Sequence, residues 1–355
     1  MGWSDPSGCA ESSPAPADAG LGPPLRWLPG GHAQTIWPAL FARRHAGPAP
    51  RFRRERWDTP DGDFVDADWL VADPLSPTPT PTPSLSGLGV ERPLLVMFHG
   101  LEGSSASGYA LAFADWACRH GWDFVMPHFR GCSGSVNRAP RAYHSGDFEE
   151  IGWMLARARG ARRGPLVAVG ISLGGNALLR WAEEAGDAAR HTAQAVAAVC
   201  SPVDLMAGGL AIGEGFNRWL YTPMFLRTMK PKALAKLAQY PGLFNRERLL
   251  AARTLYDFDD VFTAPLHGFR DVRDYWTRAS AKPTLADIRL PALVLNARND
   301  PFVPAHSLPR QEQVGRHVTL WQPLAGGHAG FAGGAFPSHV MALPAAVMGW
   351  LAARL

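Results

Sequence analysis

Lysine is scarce in this chain of 355 residues, which has 4 lysines against 31 arginines. The formal net charge is only +4, and the basic residues are spread along the sequence. Nucleic-acid-binding domains carry their cationic side chains in a patch or stripe. The one short basic run, Arg-Phe-Arg-Arg at residues 51–54, is more typical of a solvated surface. The composition therefore predicts no nucleic-acid partner.

Long hydrophobic runs and secretion signals are also missing. No stretch of 18 apolar residues occurs, so the sequence predicts no membrane-spanning helix. Residues 1–24 are rich in Ser, Ala, Pro and Gly, without an apolar stretch of signal-peptide length. We expect a disordered segment at 1–24 and a cytoplasmic protein, with peripheral membrane contact left open. Nothing in the sequence indicates a particular oligomeric state.

Cysteine is sparse and its spacing is uninformative. The four cysteines are Cys9, Cys118, Cys132 and Cys200, and none forms a Cys-x-x-Cys pair. No set of His, Cys or Asp residues shows the spacing of a metal site. Because no secretion signal supports disulfides, we expect reduced thiols. The sequence predicts neither a bound metal nor a cofactor.

The chain does contain a regular alternation of short apolar runs and helix-forming stretches. Apolar strands that alternate with helices build a mostly parallel sheet with helices on both faces, and this α/β architecture is the predicted fold class. The predicted strands are residues 94–98, 123–127, 166–170, 195–200, 292–296 and 317–321. The predicted helices are 108–120, 147–158 with Ser145 as a plausible N-cap, 174–185, and about 337–355.

Three segments depart from this alternation. Residues 53–57 and 64–71 predict an antiparallel hairpin with one exposed face at the edge of the sheet. Residues 74–89 contain Pro-Thr repeats and predict a surface loop. Roughly 90 residues separate the strand ending at 200 from the one starting at 292, although a crossover needs only about a dozen. We predict a helical cap insertion at 203–290, with an α/β core built from residues 25–202 and 291–355.

The most informative motif is Gly-Ile-Ser-Leu-Gly at residues 170–174. An apolar, β-branched run precedes it and a helix-forming stretch follows it at once. This is the setting of a nucleophile elbow, in which a serine sits on a sharp strand-to-helix turn. Ser172 is therefore the predicted catalytic nucleophile. The alternative is a tight turn in which the Ser172 hydroxyl merely caps the helix.

A serine nucleophile needs a histidine base and an acid that orients the base. Asp300 follows a predicted strand and His328 lies in a Gly-rich loop after the next one, in the chain order Ser, acid, His. Both should lie with Ser172 at the carboxyl edge of the sheet. Asp300 could instead only start a turn, and His328 could only bind backbone. Asp204 is a rival acid whose expected role is to cap the insertion.

An oxyanion hole requires two backbone N–H donors. The first should be Leu173, the residue after the nucleophile, and the second should come from His-Gly-Leu-Glu-Gly at residues 99–103. Leu101 is the predicted donor in that loop. We expect His99 to brace the turn. Glu102 would oppose a developing anion, so it should point away or pair with an arginine.

These motifs together resemble the YheT-type α/β-hydrolases, which are similar to eukaryotic ABHD-type lipases and ester synthases. The resemblance runs from about residue 27 to the C-terminus. It rests on Gly-His-Ala-Gln-Thr at 31–35, residues 99–104, Phe-Arg-Gly-Cys-Ser-Gly at 129–134, and residues 170–176. It implies an α/β-hydrolase fold, a triad of Ser172, Asp300 and His328, and carboxylic-ester hydrolysis.

The sequence thus predicts a serine esterase whose partner is a small-molecule ester, of short- to medium-chain or lipid-like acyl type. The acyl group would pass through an acyl-enzyme on Ser172. One alternative is an acyltransferase that passes the acyl group to an alcohol, and another is a binding module that retains the fold without catalysis. The aromatic residues of 203–290 could line an acyl pocket or form the core of the insertion.

Overall fold

The computed structural model describes residues 20–71 and 91–355. Most of the predicted disordered segment 1–24, and all of the predicted Pro-Thr loop 74–89, therefore lie outside the described residues. The strands are β1 Phe52–Asp58, β2 Phe64–Leu70, β3 Leu94–Phe98, β4 Asp123–Pro127, β5 Leu166–Ile171, β6 Ala195–Val199, β7 Ala292–Leu295 and β8 Val318–Trp321. The helices are α1 Gly30–Leu40, α2 Gly108–Arg119, α3 Phe148–Ala161, α4 Leu173–Ala185, α5 Ala189–Thr192, α6 Leu205–Ile212, α7 Gly215–Gln239, α8 Arg246–Ala251, α9 Leu255–Phe258, α10 Ala264–Leu266, α11 Val272–Ala279 and α12 Ala342–Ala352.

The strands form one sheet in the order β1-β2-β4-β3-β5-β6-β7-β8. β1 and β2 are antiparallel, as are β2 and β4, and every other neighbouring pair is parallel. This confirms the predicted α/β fold with a mostly parallel sheet. After β3 the chain turns first to β4 on one side and then to β5 on the other. Such a reversal opens a crevice at the carboxyl ends of the strands, where ligands bind in open α/β sheets.

Helices cover both faces of the central strands. Every residue of β3 and β5 is buried, as parallel strands between two helical layers should be. On one face Ile151 of α3 and Leu178 of α4 join the buried cluster. On the other face Phe113 of α2 and Val347 of α12 do so. Packing on both faces therefore fixes the positions of the strands whose carboxyl ends form the crevice.

Six helices, α6 to α11, connect β6 to β7, and we call residues 205–279 the inserted helices. They contain a buried cluster of their own, which includes Leu226, Phe258 and Tyr275. Side chains cap the N-termini of α6, α8, α9 and α11, and at the start of α6 the Ala207 N–H donates to Asp204 at 3.1 Å. Among residues 20–71 and 91–355, no helix has the length and apolar character needed to cross a bilayer.

The hairpin of β1 and β2 differs from the prediction on one face. Alternation predicts an exposed face, and most residues of β1 are exposed, yet all but the last residue of β2 are buried because side chains of β1 cover its acidic face. Its acidic side chains are neutralised by arginines of β1. Asp66 lies 2.8 Å from Arg56, and Asp68 lies 2.7 Å from Arg54. Pairing of this kind is what permits a carboxylate to be buried.

Three element boundaries differ from the sequence prediction. Residues 30–40 form helix α1, which the aromatic and turn-rich sequence does not predict. The N-cap of α3 is Asp147, which accepts the Glu150 N–H at 3.3 Å, so the prediction of Ser145 as N-cap is wrong. The C-terminal helix starts at Ala342 rather than near 337, because His339 forms backbone bridges to Gly333 and Arg43 and the Val340 N–H donates to the Arg43 carbonyl.

Candidate active site

Ser172 occupies a strained turn between β5 and α4. Its backbone has φ 53° and ψ −121°, a region that costs a non-glycine residue on the order of 1–3 kcal/mol. Neighbouring glycines make this turn possible. A Cβ on Gly170 would lie 2.4 Å from the Gly174 carbonyl oxygen, and one on Gly174 would lie 2.5 Å from the His99 oxygen. The motif therefore needs glycine at both positions for strand, helix and loop to approach each other.

The Ser172 hydroxyl does not cap α4. The residue stands at the N-cap position, but its side chain makes no capping hydrogen bond, so the helix-cap alternative is wrong. Its backbone is held firmly, because the N–H donates to Val199 at 2.8 Å and the carbonyl accepts the Gly175 N–H at 3.0 Å. The loop after β3 lies beside it, since a Cβ on Gly100 would be 3.8 Å from Oγ. The hydroxyl is thus presented at the crevice.

Asp300 and His328 are brought together by the turns that follow β7 and β8. Nδ1 of His328 donates to Oδ2 of Asp300 at 2.8 Å. The other oxygen, Oδ1, accepts the N–H groups of Phe302 at 2.8 Å and Val303 at 3.3 Å. Asp300 therefore does start a turn, as its alternative role predicts, while it also binds the imidazole. This contact places the proton on Nδ1 and leaves the lone pair on Nε2.

Helix α1 braces both of these turns, a contact that composition and spacing do not predict. The Thr35 hydroxyl accepts the His328 N–H at 2.9 Å. The Gln34 carboxamide oxygen accepts from the Gly326 N–H at 2.9 Å and from Asn299 Nδ2 at 3.0 Å. One available signal was the Gly-His-Ala-Gln-Thr segment at 31–35, which carries part of the family resemblance but has no catalytic residue type in an obvious role.

Two indirect connections link the positions of Ser172 and His328: hydrogen bonds to the end of β6, and one aromatic ring. Val199 accepts the Ser172 N–H, and the next residue, Cys200, accepts the Ala329 N–H through Sγ at 3.1 Å. The Phe302 ring contacts the His328 ring with centroids 4.4 Å apart. Phe302 and Ser172 both line the cavity described below. The three predicted triad residues therefore lie at one edge of the sheet.

The side chains of Cys200, Asp300 and His328 form a compact group, with one potential ligand atom of each within 4.8 Å of the others. Metal ligands must be deprotonated at sulfur and free at nitrogen and oxygen. Burial instead raises the pKa of the Cys200 thiol well above its usual range, and Asp300 and His328 are bonded to one another. The donor set therefore fits a hydrogen-bonded dyad better than a metal site.

The loop after β3 is arranged so that Leu101 can donate its N–H. The Gly100 carbonyl accepts from His99 Nδ1 at 2.7 Å and from the Gly103 N–H at 2.9 Å. Because a trans peptide points its C=O and N–H in opposite directions, these bonds turn the Leu101 N–H away from them. The Leu173 N–H is at the first position of α4, where helix N–H groups have no intrahelical partner.

His99 braces this loop, as expected, in its neutral form. Its Nε2 accepts the Phe129 N–H at 3.1 Å while Nδ1 donates to the Gly100 carbonyl. Burial lowers the pKa of His99 to about 3, so the imidazole stays uncharged over the working range of most enzymes. An imidazolium could not accept the Phe129 bond. The brace is therefore insensitive to pH near neutrality.

Glu102 is paired, but with lysine rather than with the arginine that the sequence suggests. Lys232 of α7 places Nζ 2.9 Å from Oε2 and 3.0 Å from Oε1. The predicted opposition between Glu102 and a developing anion is thus reduced by an ammonium from the inserted helices. Lys232 is a residue that sequence reasoning missed, because its partner lies 130 positions away.

A cavity beside Ser172 extends under the inserted helices. Its polar wall includes Glu102, Tyr143 and Asp259. Asp259 accepts from Thr263 Oγ1 at 2.6 Å and from Trp276 Nε1 at 2.9 Å, and burial raises its pKa to about 6. Aromatic residues of the insertion both line this cavity and form the core of the insertion. The larger apolar residues in the wall include Leu205, Ile212, Phe225, Met229, Phe258, Phe262 and Trp276.

The remaining candidate residues have structural partners. Asp204, the rival acid, caps α6 and lies 3.4 Å from Lys282. Cys132 is buried, and this burial raises the pKa of its thiol to about 12, which does not suit a nucleophile. Arg130 is buried against Asp63 at 2.8 Å and against Glu150. Cys132 and Arg130 therefore stabilise the loop at 129–134, and Asp204 stabilises the start of α6.

Comparison with known proteins gives a consistent family. The family model described as "alpha/beta hydrolase fold" matches residues 93–335. An Escherichia coli (strain K12) protein named "Putative esterase YheT" is 38% identical and the match covers 94% of this chain and 93% of that protein. The human protein "Phospholipase ABHD3" is 26% identical over 88% of this chain and 74% of its own. Among solved structures, a DcsB complex with its substrate analogue superposes with a TM-score of 0.52 at 11% identity, and covers 86% of this chain and 99% of that one.

Proposed function

The chain belongs to the alpha/beta hydrolase fold family, and on this premise we propose that it is a serine hydrolase that cleaves carboxylic esters through an acyl-enzyme on Ser172. The observation that carries the proposal is the 2.8 Å hydrogen bond from His328 Nδ1 to Asp300 at the sheet edge where Ser172 is presented. An esterase name on the Escherichia coli relative supports the same chemistry.

In the acylation step, His328 Nε2 removes the Ser172 proton as Oγ attacks the ester carbonyl carbon. The Asp300 carboxylate holds the imidazole in the tautomer that has its lone pair on Nε2, and it stabilises the imidazolium that forms. The N–H groups of Leu101 and Leu173 receive the developing oxyanion. The imidazolium then gives its proton to the leaving alcohol, which completes the acyl-enzyme.

In the deacylation step, water takes the place of the alcohol. His328 removes a proton from the water, whose oxygen attacks the acyl carbon, and the second oxyanion uses the same two donors. Collapse of this intermediate breaks the bond to Ser172 and returns the proton to Oγ. Each donor of such a pair is worth about 3 kcal/mol of transition-state stabilisation in enzymes of this kind.

The cavity wall supports an apolar acyl group. Phe225, Met229 and Trp276 offer carbon atoms rather than charges near Ser172. Each CH₂ group buried there contributes about 0.8 kcal/mol of binding. We propose a short- to medium-chain or lipid-like acyl group, with the inserted helices acting as a cap over it. We also propose that the protein works in the cytoplasm, a location that cell fractionation tests.

The proposal is tested with a fluorophosphonate probe and p-nitrophenyl esters of increasing chain length. Wild-type protein should be labelled at Ser172 and should hydrolyse the esters, and Ser172→Ala should lose both properties. Ser307→Ala is the matched control, because the Ser307 hydroxyl donates to the Pro304 carbonyl within its own turn and does not line the cavity beside Ser172, so both properties should be unchanged. Full activity of Ser172→Ala on every ester would overturn the proposal.

An alcohol could replace water as the acyl acceptor, since the apolar cavity would hold an alcohol as readily as an acyl chain. Product analysis in dilute ethanol separates the two reactions. A product ratio of ethyl ester to free acid well above the molar ratio of ethanol to water would establish acyl transfer. Free acid as the sole product would establish hydrolysis. If Ser172 were never labelled and no ester were consumed, the chain would instead be a binding module on the same fold.

A further inference from the structure

All four lysines of the chain lie between residues 230 and 282, in or just after the inserted helices. Lys230 donates to the carbonyls of residues 250 and 252, within those helices. Lys232 instead reaches out of them to Glu102, in the loop after β3. The ammonium contacts both carboxylate oxygens, at 2.9 and 3.0 Å. One ion pair therefore fastens helix α7 to the loop that holds the proposed oxyanion donor.

Glu102 is locked to this loop at its backbone as well as its side chain. It directly follows Leu101 and has a left-handed backbone with φ 58°, which a non-glycine residue adopts only under constraint. Tyr143 supplies part of the constraint. Its hydroxyl accepts the Glu102 N–H at 3.2 Å and donates to Oε1 at 2.9 Å. A displacement of the carboxylate would therefore move the peptide next to Leu101.

We propose that Lys232 is a positioning residue for oxyanion stabilisation, and that it acts by holding and neutralising Glu102. This inference rests on the proposed serine hydrolase mechanism. The inserted helices would then do more than cover the acyl group, because their seating on the core completes the oxyanion hole.

Two physical effects make Lys232 matter. The first is geometric, since the ion pair and Tyr143 together hold the loop in a strained conformation that the chain would otherwise relax. The second is electrostatic. The Glu102 side chain is only 9% exposed, so without Lys232 a poorly solvated carboxylate would lie in the cavity where the oxyanion develops. Both effects act on the tetrahedral intermediates of acylation and deacylation, and neither acts on the ground-state ester.

The test is steady-state hydrolysis of p-nitrophenyl acetate by Lys232→Met. Because loss of a whole oxyanion donor lowers kcat by about 100- to 1000-fold, partial misplacement should lower kcat by about tenfold or more, with KM changed less than about twofold. Lys232→Arg should keep most of the wild-type kcat. Adding Glu102→Gln to Lys232→Met should recover the electrostatic part of the loss, because it removes the unpaired charge while keeping an acceptor for Tyr143, and the geometric part should remain.

Lys230→Met is the matched control, since it removes a lysine of the same helix whose partners lie inside the inserted helices. Its kcat should stay within about twofold of wild type. The inference is overturned if Lys232→Met keeps its kcat, if Lys230→Met loses as much, or if the double variant recovers nothing. If Ser172→Ala abolishes hydrolysis but Lys232→Met does not, the mechanism stands and only this inference fails. If Ser172→Ala keeps activity, both fail.

Discussion

Replacing Asp300 by Asn separates the two jobs of this carboxylate. Oδ1 accepts two backbone N–H groups, from Phe302 and Val303, while Oδ2 accepts from His328. An asparagine oxygen can still accept both backbone donors. Its amide nitrogen then faces Nδ1 of His328, which must turn from donor to acceptor. The imidazole proton moves to Nε2, where the lone pair that deprotonates Ser172 is lost.

The two oxygens of Asp300 predict two separate effects, one on kcat and one on the free energy of unfolding. Loss of the correct tautomer in a serine triad lowers kcat on the order of 10⁴-fold, which corresponds to about 5.5 kcal/mol in the activation barrier. The free energy of unfolding should change by less than about 1 kcal/mol, because the turn keeps its acceptor. Asp300→Ala, by contrast, leaves two backbone N–H groups unpaired and should cost about 1–3 kcal/mol of stability as well.

The assay is hydrolysis of p-nitrophenyl butyrate, together with denaturant unfolding of the same preparations. Asp300→Asn should unfold like wild type and be almost inactive, and Asp300→Ala should be both inactive and less stable. The rival acid supplies the control, since Asp204→Asn keeps an acceptor for the cap of α6 and should retain activity. The reasoning would be refuted if Asp300→Asn kept more than about a tenth of the wild-type kcat, or if Asp204→Asn lost as much.

Two further predictions concern residues that support the site. Thr35→Val removes the acceptor of the His328 N–H, so it should cost about 1–3 kcal/mol of stability and lower kcat. Thr35→Ser keeps the hydroxyl, so its stability in unfolding measurements and its kcat should stay close to those of wild type. Equal behaviour of the two variants would contradict this role. Burial raises the pKa of Asp259 to about 6, so folding favours its protonated form and the free energy of unfolding should fall as pH rises from about 4 to about 6. Asp259→Asn should flatten that fall, and an unchanged pH profile in urea titrations would count against the buried carboxyl.

Local patterns were sufficient for the sheet and for the types of the proposed catalytic residues. The apolar runs that predict β3 to β8 need only short-range hydrophobicity, and the Gly-x-Ser-x-Gly spacing reflects a steric need inside one turn. The placement of Ser172, Asp300 and His328 at one edge then follows from the parallel strands β5, β7 and β8 that precede them. Local signals were weaker where tertiary contacts set the boundary. Asp147 rather than Ser145 caps α3. The acidic side chains of β2 are buried because they pair with arginines of the neighbouring strand β1.

The sequence by itself determined the α/β class and the residues that we propose for catalysis, because periodicity and steric spacing are written within a few positions of each other. Only the tertiary structure decided what holds those residues in place. Gln34 and Thr35 support turns almost 300 positions away, and Lys232 pairs with Glu102 across 130 positions. Such contacts depend on how strands and helices pack, and packing over long separations leaves no periodic trace in a single sequence.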